Sequence, residues 1–443
     1  MVGSFLDVQI LNIEVMLNIM NKTFDKILAL SMLAWMSVAA NLGNVGFIIN
    51  GLINELQITD PGLKGLLGSS SLFGMLIGAF ISGFLGDNIG RKKTAIIFAV
   101  LHGISGVIAV LVINPLWFIT WRILAGIGLG GILPVLASLV SEYSLPSSRG
   151  KRVSLLESSW ALGWLIPITI AYLYLGIMGW RVYGLITSII ALILSLSVLF
   201  LEESPRYLLS IGRKDEAQRL IEKYNIKLSK HIGMKTNLIA GVKLLFSKDL
   251  WKTTIGLWII WFTITMGYYG LFIWYPRLLS THGAEIGFEA LANYLKTKRL
   301  EYLLIITLAQ IPGYYSAVLL VDRIGRKKLL GTYLVLTGLS AFILAYARTI
   351  DQFLTAGIAL SFFDLGAWAA LYTYTPEQYP TSIRVLGTGW ASTIGRLGGI
   401  LGPYIVPFLG SWQSIFIFFA TIHFIGALGV LTGKELARKE MIE

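Results

Sequence analysis

The chain has 443 residues, of which 55% are hydrophobic and only 14% are charged, and its mean hydropathy is +0.73. An ordinary soluble domain carries about a quarter charged residues, so the composition excludes a soluble protein and predicts a membrane-embedded one. The absence of cysteine excludes disulfides and thiol catalysis. The formal charge is +12, and its meaning depends on where the lysine and arginine residues lie along the chain.

Twelve apolar segments follow one another along the chain, each long enough to cross a hydrocarbon core with about 20 helical residues. A cytoplasmic N-terminal segment, 1–26, precedes the first of them. Spans 1 to 6 are predicted at 27–54, 62–86, 94–113, 116–144, 150–177 and 181–201. A cytoplasmic linker with short helices, 202–252, follows. Spans 7 to 12 are predicted at 253–281, 300–321, 328–347, 351–378, 382–409 and 412–432, before a cytoplasmic tail, 433–443.

The sequence therefore predicts an all-α membrane protein with twelve transmembrane helices in two six-helix bundles, 27–201 and 253–432. Lysine and arginine favour the cytoplasmic side of a membrane. With both termini cytoplasmic, the inner segments hold 27 of the 36 lysine and arginine residues and the outer segments hold 7. This bias explains most of the positive charge, so we expect a multi-pass protein of the cell membrane that contacts lipid and binds no nucleic acid.

A charged motif at the inner end of span 2 occurs twice. Its copies are Asp87-x-x-Gly90-Arg91-Lys92-Lys93 and Asp322-x-x-Gly325-Arg326-Lys327-Lys328. Arg326 follows Arg91 by 235 residues, and the pair Glu377 and Arg384 follows the pair Glu142 and Arg149 by the same interval. The repeat indicates two pseudo-symmetric halves.

Three groups of residues together resemble the major facilitator superfamily, on its sugar-porter-like side. They are the two repeated motifs, Arg122-x-x-x-Gly126 in span 4, and Glu203-Ser204-Pro205-Arg206 after span 6. The stretches 156–163, 268–270 and 374–389 are more similar to the neighbouring branch of metabolite and organic-ion symporters. The resemblance implies the major facilitator fold, a monomer, and transport by alternating access between the two bundles.

The repeated motifs are then expected to form a cytoplasmic gate, whose ion pairs form when that side closes and break when it opens. The alternative is that the basic residues only set the topology. The predicted gate residues are Asp87, Gly90, Arg91, Glu142, Arg149, Glu203, Arg206, Asp322, Gly325, Arg326, Glu377 and Arg384.

Ionisable residues inside the spans are candidates for substrate binding or coupling, because each costs at least about 2.5–3.5 kcal/mol at a helix centre unless it is paired or faces a polar cavity. Asp364 in span 10 and Arg396 in span 11 lie near the middle of their spans and are expected to pair, either permanently or in a way that changes during transport. Arg122 and Glu157 are the other two main candidates.

Arg122 lacks the acidic partner that sugar–proton symporters resembling this chain carry in span 1, because the corresponding region contains Asn41 and Asn44. Three alternatives remain open. Transport does not use a proton at this site, Glu157 supplies the counter-charge, or an anionic substrate completes the pair. Glu157 falls where related sugar porters place a sugar-binding glutamine, which favours a position facing the pocket over a role in helix packing.

Aromatic residues occur at the same levels of the spans. Packing is their usual role, but Asp364, Trp368 and Tyr372 are four residues apart and therefore share one helix face. The complete set of predicted substrate-binding or coupling residues is Asn41, Asn44, Arg122, Glu157, Trp160, Tyr268, Tyr269, Asp364, Trp368, Tyr372 and Arg396. Such a pocket suits a small polar or charged metabolite.

The sequence contains no P-loop, zinc-protease or hydrolase motif, and the glycine run 126–131 inside span 4 indicates close helix packing. An enzyme and a metal site are therefore not expected, and a polytopic membrane enzyme or a receptor is the less favoured class. The prediction is a secondary transporter of a small hydrophilic metabolite, preferably an organic acid, with a proton as the candidate coupling ion and no other cofactor. The alternative is a facilitative or proton-coupled sugar transporter.

Overall fold

The computed structural model describes residues 25–111, 114–145, 149–224, 226, 238–281, 300–380 and 383–435. Within these ranges the chain is helical and contains no strand. Spans 1 to 6 are the helices Lys26–Glu55, Pro61–Ile89, Arg91–Val110, Pro115–Glu142, Arg149–Ile170 and Gly176–Ser195. Spans 7 to 12 are Trp251–Thr281, Leu300–Ile324, Arg326–Ala345, Ile350–Glu377, Arg384–Leu409 and Trp412–Val430.

Length and apolar composition qualify ten described helical stretches as membrane-crossing, with spans 5 and 6 joined in the single stretch Arg149–Phe200. Span 11 does not qualify, since its polar and glycine residues include Arg396. The boundary between spans 5 and 6 lies at the π-helical segment Ala171–Leu175 and at Gly179, whose φ of 72° interrupts the helix. The twelve predicted spans are therefore present, and the predicted loop after span 5 is a distorted continuation of the helix.

Polar side chains cap the first turn of two of these helices. Asp25 accepts a hydrogen bond from the backbone N–H of Leu28, and Asn114 accepts one from that of Trp117. Asp25 and Asn114 thus satisfy backbone donors that would otherwise be left without partners at a helix end. Span 1 is interrupted at Asn44, which lies between the helical segments Lys26–Gly43 and Val45–Glu55.

Small residues allow the spans to pack closely. In the first half, span 4 packs against spans 2 and 3, and a Cβ added at Gly126 would lie 2.9 Å from the Cα of Gly74 in span 2. The glycine run 126–131 is thus a packing surface, as the sequence predicts. In the second half, span 7 packs against spans 11 and 12, and span 9 against spans 10 and 12.

The two halves meet along span 2 with span 11 and along span 1 with span 7. The backbone and ring of Tyr404 lie where a Cβ of Gly65 would be, so span 2 approaches span 11 closely at this point. Arg277 of span 7 donates to the side-chain oxygens of Asn50 and Asn54 at 2.9 and 3.2 Å. The halves are therefore closed against each other at the ends remote from the repeated motifs.

The predicted linker contains the short helices Pro205–Ser210, Lys214–Tyr224 and Leu238–Leu245. The N-terminal segment before residue 25, the outer segment 282–299 and the tail after residue 435 lie outside the described residues.

Candidate functional site

A central cavity lies between the two halves. Seven of the predicted site residues line it: Glu157, Trp160, Tyr268, Tyr269, Trp368, Tyr372 and Arg396. The sequence analysis missed the other lining residues, which are Trp35, Leu72, Met75, Leu133, Trp261, Thr265, Tyr314, Leu365, Ser392 and Gly399. Both halves contribute, so a bound solute would contact both of the bundles that move during alternating access.

Aromatic rings form most of the cavity wall. Trp160 of span 5 donates from its indole nitrogen to the hydroxyl of Tyr268 in span 7 at 2.8 Å, which joins the two halves. The ring of Trp160 lies edge-to-face with that of Tyr269, with centroids 6.3 Å apart. Trp368 and Tyr372, one helical turn apart in span 10, have centroids 5.8 Å apart. The wall therefore offers both faces and edges of rings to a planar molecule.

The cavity lining contains one acidic and one basic residue. Glu157 comes from the first half and Arg396 from the second, and the structure gives no ion pair between these two described residues. Tyr269 and Tyr372 interact electrostatically with both of them. The cavity thus presents one anionic and one cationic side chain, from different halves, within an aromatic wall.

Arg122 lies away from this cavity, buried inside the first half with no exposed surface. Its Nη1 donates to Oδ1 of Asn41 at 2.8 Å, its Nη2 to the backbone oxygen of Asn41 at 2.9 Å, and its Nε to the hydroxyl of Ser71 at 2.9 Å. The guanidinium of Arg122 therefore donates to three uncharged oxygens. Of the alternatives left open by the sequence, Glu157 as counter-charge is not realised in this conformation, since Arg122 contacts Asn41 and Ser71 and does not line the cavity that contains Glu157.

The two span 1 asparagines belong to the same polar interior of the first half. The side-chain nitrogen of Asn41 donates to the backbone oxygen of His102 at 3.2 Å. That of Asn44 lies 3.2 and 3.3 Å from the hydroxyls of Thr187 and Ser188 in span 6. Both asparagines were predicted to bind substrate, but their contacts join helices of one half.

Asp364 also departs from its predicted partner. Instead of pairing with Arg396, its Oδ1 lies 3.6 Å from Nε2 of His423 in span 12, and both side chains are fully buried. The predicted Asp364–Arg396 pair is thus wrong for this conformation, because the two residues face different neighbours. Arg396 faces the cavity and Asp364 faces the interior of the second half. No spacing in the sequence indicates that His423 is the partner of Asp364.

The first copy of the repeated motif forms the ion cluster that the gate hypothesis requires. Arg91 lies 3.0 Å from the carboxylate of Asp87 and 3.3 Å from that of Glu142. Glu203 accepts from the backbone N–H groups of Arg91 and Lys92 at 2.8 and 3.1 Å, so its negative charge caps the N-terminus of span 3. The contacts between these residues are present, and their opening during transport stays a prediction.

Glycine is required at the turn of this motif. Gly90 has a φ of 96°, and the carboxylate of Glu203 and the ring of Tyr207 occupy the place where a Cβ would be. Tyr143 donates to the backbone oxygen of Glu203 at 2.6 Å. Burial raises the pKa of the Tyr143 phenol, which keeps it in the donating form.

The second copy repeats this arrangement. Arg326 lies 2.9 Å from Asp322 and 3.1 Å from Glu377, and Gly325 has a φ of 101°. Glu435 accepts from the backbone N–H groups of Arg326 and Lys327 at 3.1 and 3.0 Å. Glu435 is therefore the counterpart of Glu203. The sequence analysis missed it, although it follows Glu203 by 232 residues, close to the repeat interval.

Three predicted gate arginines lie outside these clusters. Arg384 donates from Nε to the backbone oxygen of Pro376 at 3.0 Å. Arg206 is exposed, and among the described residues neither it nor Arg149 makes an ion pair. The carboxylate of Glu142 contacts Arg91 of span 3.

A family model described as "Sugar (and other) transporter" matches residues 52–433. The chain belongs to this transporter family. It is 36% identical to the niacin transporter NiaP of Acinetobacter baylyi over 92% of this chain and 93% of that protein. It is 37% identical to the putative niacin/nicotinamide transporter NiaP of Bacillus subtilis over 94% of this chain and 97% of that protein.

The fold is similar to that of solved transporters. The inward-open structure of the xylose transporter XylE from E. coli superposes with a TM-score of 0.73 at 20% identity, covering 91% of this chain and 95% of that chain. Together, the family and the fold confirm a major facilitator protein with the sugar-porter-like architecture. This member of the family is a multi-pass membrane protein and a secondary transporter of a small molecule, not an enzyme.

Proposed function

We propose that this transporter carries nicotinate or a closely similar small aromatic carboxylate. The observation that carries this proposal is the single arginine, Arg396, in a cavity whose wall is otherwise largely aromatic. Nicotinate is a planar ring with one carboxylate, so it needs one cation and a ring-shaped apolar site. The relatives named as niacin transporters support the same substrate.

Arg396 is the residue that would hold the carboxylate. A guanidinium presents parallel N–H groups that fit both oxygens of a carboxylate, and such charge-assisted bonds are roughly twice as strong as neutral ones. Tyr269 and Tyr372 adjoin Arg396 and would add phenolic donors beside the same group. The substrate ring would then lie against the aromatic residues on both halves.

Glu157 is the second charged residue that the substrate can reach. It lines the cavity from span 5 in the first half, whereas Arg396 lines it from the second half. A ring nitrogen directed at Glu157 would share a proton with its carboxyl group, because both groups are otherwise acceptors, and nicotinate would then contact both halves. Contacts with both halves would let the solute stabilise a closed conformation, as alternating access requires.

A sugar is the second candidate, favoured by the family model and by the fold of the xylose transporter. A sugar offers many hydroxyls and needs many matched hydrogen bonds. The described cavity lining contains no asparagine or glutamine and only two aliphatic hydroxyls, those of Thr265 and Ser392. This composition favours an aromatic acid over a sugar.

The test is uptake of radiolabelled nicotinate into proteoliposomes that contain the purified protein. Nicotinamide has the same ring without the carboxylate, and xylose represents the sugar alternative. We expect saturable nicotinate uptake that excess nicotinamide and xylose compete with weakly, and its loss in Arg396→Ala. Arg348→Ala, an exposed arginine at the far end of span 9, is the matched control and should transport normally. Saturable xylose uptake without nicotinate uptake would contradict the proposal.

We further propose that both termini lie in the cytoplasm and that the transport unit is a monomer that binds no nucleic acid. The lysine and arginine distribution supports the orientation. The cavity is formed by both halves of one chain, which supports the monomer, since no second copy is needed to complete it. Light scattering of the purified protein in detergent should give the mass of one chain, 48.9 kDa, after the detergent is subtracted.

A further inference from the structure

Asp364 and His423 form a buried pair beside the cavity and not within its lining. Asp364 lies in span 10 and His423 in span 12, both have no exposed surface, and Oδ1 and Nε2 are 3.6 Å apart. In the described structure neither carboxylate oxygen of Asp364 has a hydrogen-bond partner, and neither does Nε2 of His423. Among the described residues, the carboxylate of Asp364 is therefore paired only with Nε2 of His423.

The hydrogen bond of the second ring nitrogen of His423, Nδ1, determines whether Nε2 carries a hydrogen. Nδ1 is 2.7 Å from the backbone oxygen of Phe419, and a carbonyl oxygen can only accept, so Nδ1 carries a hydrogen. A neutral ring then directs the lone pair of Nε2 at the carboxylate of Asp364. Two acceptors would face each other in the interior of a membrane protein, where an isolated charge is costly.

One proton resolves this conflict in either of two forms. It can lie on the carboxyl of Asp364, which then donates to Nε2, or on Nε2, which then forms an ion pair with the carboxylate. In both forms the pair is neutral as a whole. Without the proton, a buried carboxylate would remain with no partner among the described residues.

Other titratable groups do not compete for Asp364. Tyr268 of span 7 is the one that interacts with it electrostatically besides His423. The titratable residues on the other packed helices contact different groups. Tyr314 of span 8 donates to Ser154, Tyr333 of span 9 bonds with Ser316, and Arg396 of span 11 interacts with Tyr269 and Tyr372.

Tyr268 connects this pair with the substrate cavity. Its hydroxyl accepts from Trp160 of the first half at 2.8 Å and lies 3.3 Å from Gln310 of span 8. The preceding residue, Gly267, leaves room for the imidazole of His423, which occupies the place of a Cβ there. A change in charge at Asp364 would therefore act on a bond that joins the two halves in the cavity wall.

We propose that Asp364 and His423 together bind the proton that drives transport. This inference rests on the proposed function, since it assigns the coupling site of the same transporter. The first half lacks a carboxylate at Arg122, where Asn41 supplies neutral oxygens instead. The proton site thus lies in the second half, separate from the cavity residues Glu157 and Arg396.

The test compares two assays on the same proteoliposomes. Gradient-driven accumulation measures coupling, and exchange of labelled for unlabelled nicotinate at equal pH measures substrate binding and the conformational change without net proton movement. An inward gradient of one pH unit can drive about tenfold accumulation, because one unit corresponds to about 1.4 kcal/mol. We expect Asp364→Asn and His423→Gln to abolish this accumulation and to retain exchange. Asp351→Asn, an exposed residue at the start of the same span, is the matched control and should keep both.

Every other outcome overturns the inference. Normal accumulation in either variant would exclude the pair as the coupling site, and loss of exchange in both variants would show that the pair has only a structural role. Wild-type exchange without any effect of the pH gradient would also refute it, while leaving the proposed substrate intact. Absence of nicotinate exchange in the wild-type protein would refute the proposed function instead.

Discussion

Nη1 of Arg122 donates to the side-chain oxygen of Asn41 at 2.8 Å, deep inside the first half of the transporter. A neutral amide thus occupies the position where the sugar–proton symporters resembling this chain carry an aspartate. The backbone oxygen of Asn41 accepts from Nη2, and the hydroxyl of Ser71 accepts from Nε. Arg122 is held by contacts within one half.

Asn41→Ala should therefore destabilise the protein. The substitution removes the side-chain acceptor of a fully buried guanidinium, and a hydrogen bond to a charged group contributes about 1.5–3 kcal/mol. We expect a lower midpoint of thermal unfolding in detergent, measured by tryptophan fluorescence. Asn88→Ala, an exposed residue with only a local backbone bond, should unfold like the wild type. Equal midpoints for the two variants would show that Arg122 does not depend on Asn41.

Glu157→Gln should separate substrate binding from coupling. Glu157 lines the same cavity as Arg396, whereas the proposed proton site is the pair Asp364 and His423. We expect the KM for nicotinate to change and the accumulation driven by a pH gradient to persist. Both are measured in the same proteoliposomes. If this variant lost accumulation but kept normal exchange, Glu157 and not the Asp364–His423 pair would be the coupling residue.

Gly90→Ala should destabilise the first gate cluster. A non-glycine residue in the left-handed region costs roughly 1–2 kcal/mol, and its Cβ would also collide with the carboxylate of Glu203. We expect a lower unfolding midpoint and slower transport. Gly83→Ala is the control, because it lies in the same span with nothing near its added Cβ. If Gly83→Ala lowered the unfolding midpoint as much as Gly90→Ala does, the loss of stability would come from changing any glycine in this region and not from the turn at Gly90.

Glu435→Gln should weaken the second gate cluster as Glu203→Gln weakens the first. Each carboxylate accepts from two backbone N–H groups at the N-terminus of a span, and a negative charge there contributes about 0.3–1 kcal/mol in exposed settings. We expect comparable changes in uptake rate for the two variants. An effect in Glu203→Gln alone would show that the two halves are not functionally equivalent.

Single-cysteine labelling should establish the orientation. The natural chain has no cysteine, so each substituted cysteine reports one position without background. In intact cells, a maleimide that cannot cross the membrane should label Arg348→Cys and not Arg206→Cys, and both should react after the cells are opened. Labelling of Arg206→Cys in intact cells would reverse the proposed topology.

The fold could be predicted from the sequence to a large extent. The twelve spans, the two halves and the repeated motifs follow from the length of apolar runs and the spacing of charges, which are properties of the chain taken in order. The contact of Arg91 with Glu142, and its repeat at Arg326 and Glu377, also follow from the two-fold pattern. Arg396 was predicted to line a pocket because it is an ionisable residue near the middle of a span, and Trp160 and Tyr268 because they lie at the level of the ionisable residues; all three line the cavity.

The sequence alone thus determined the membrane class, the number of spans and the two repeated charged motifs, since hydrophobic length and charge placement act locally. Only the tertiary structure decided that Arg122 lies away from the cavity, that Asp364 contacts His423 instead of Arg396, and that Glu435 matches Glu203. The physical reason is rotation. A helical sequence fixes which residues share a face, but the packing of neighbouring helices fixes what that face contacts, and a turn of a few tens of degrees changes the partner of every buried charge.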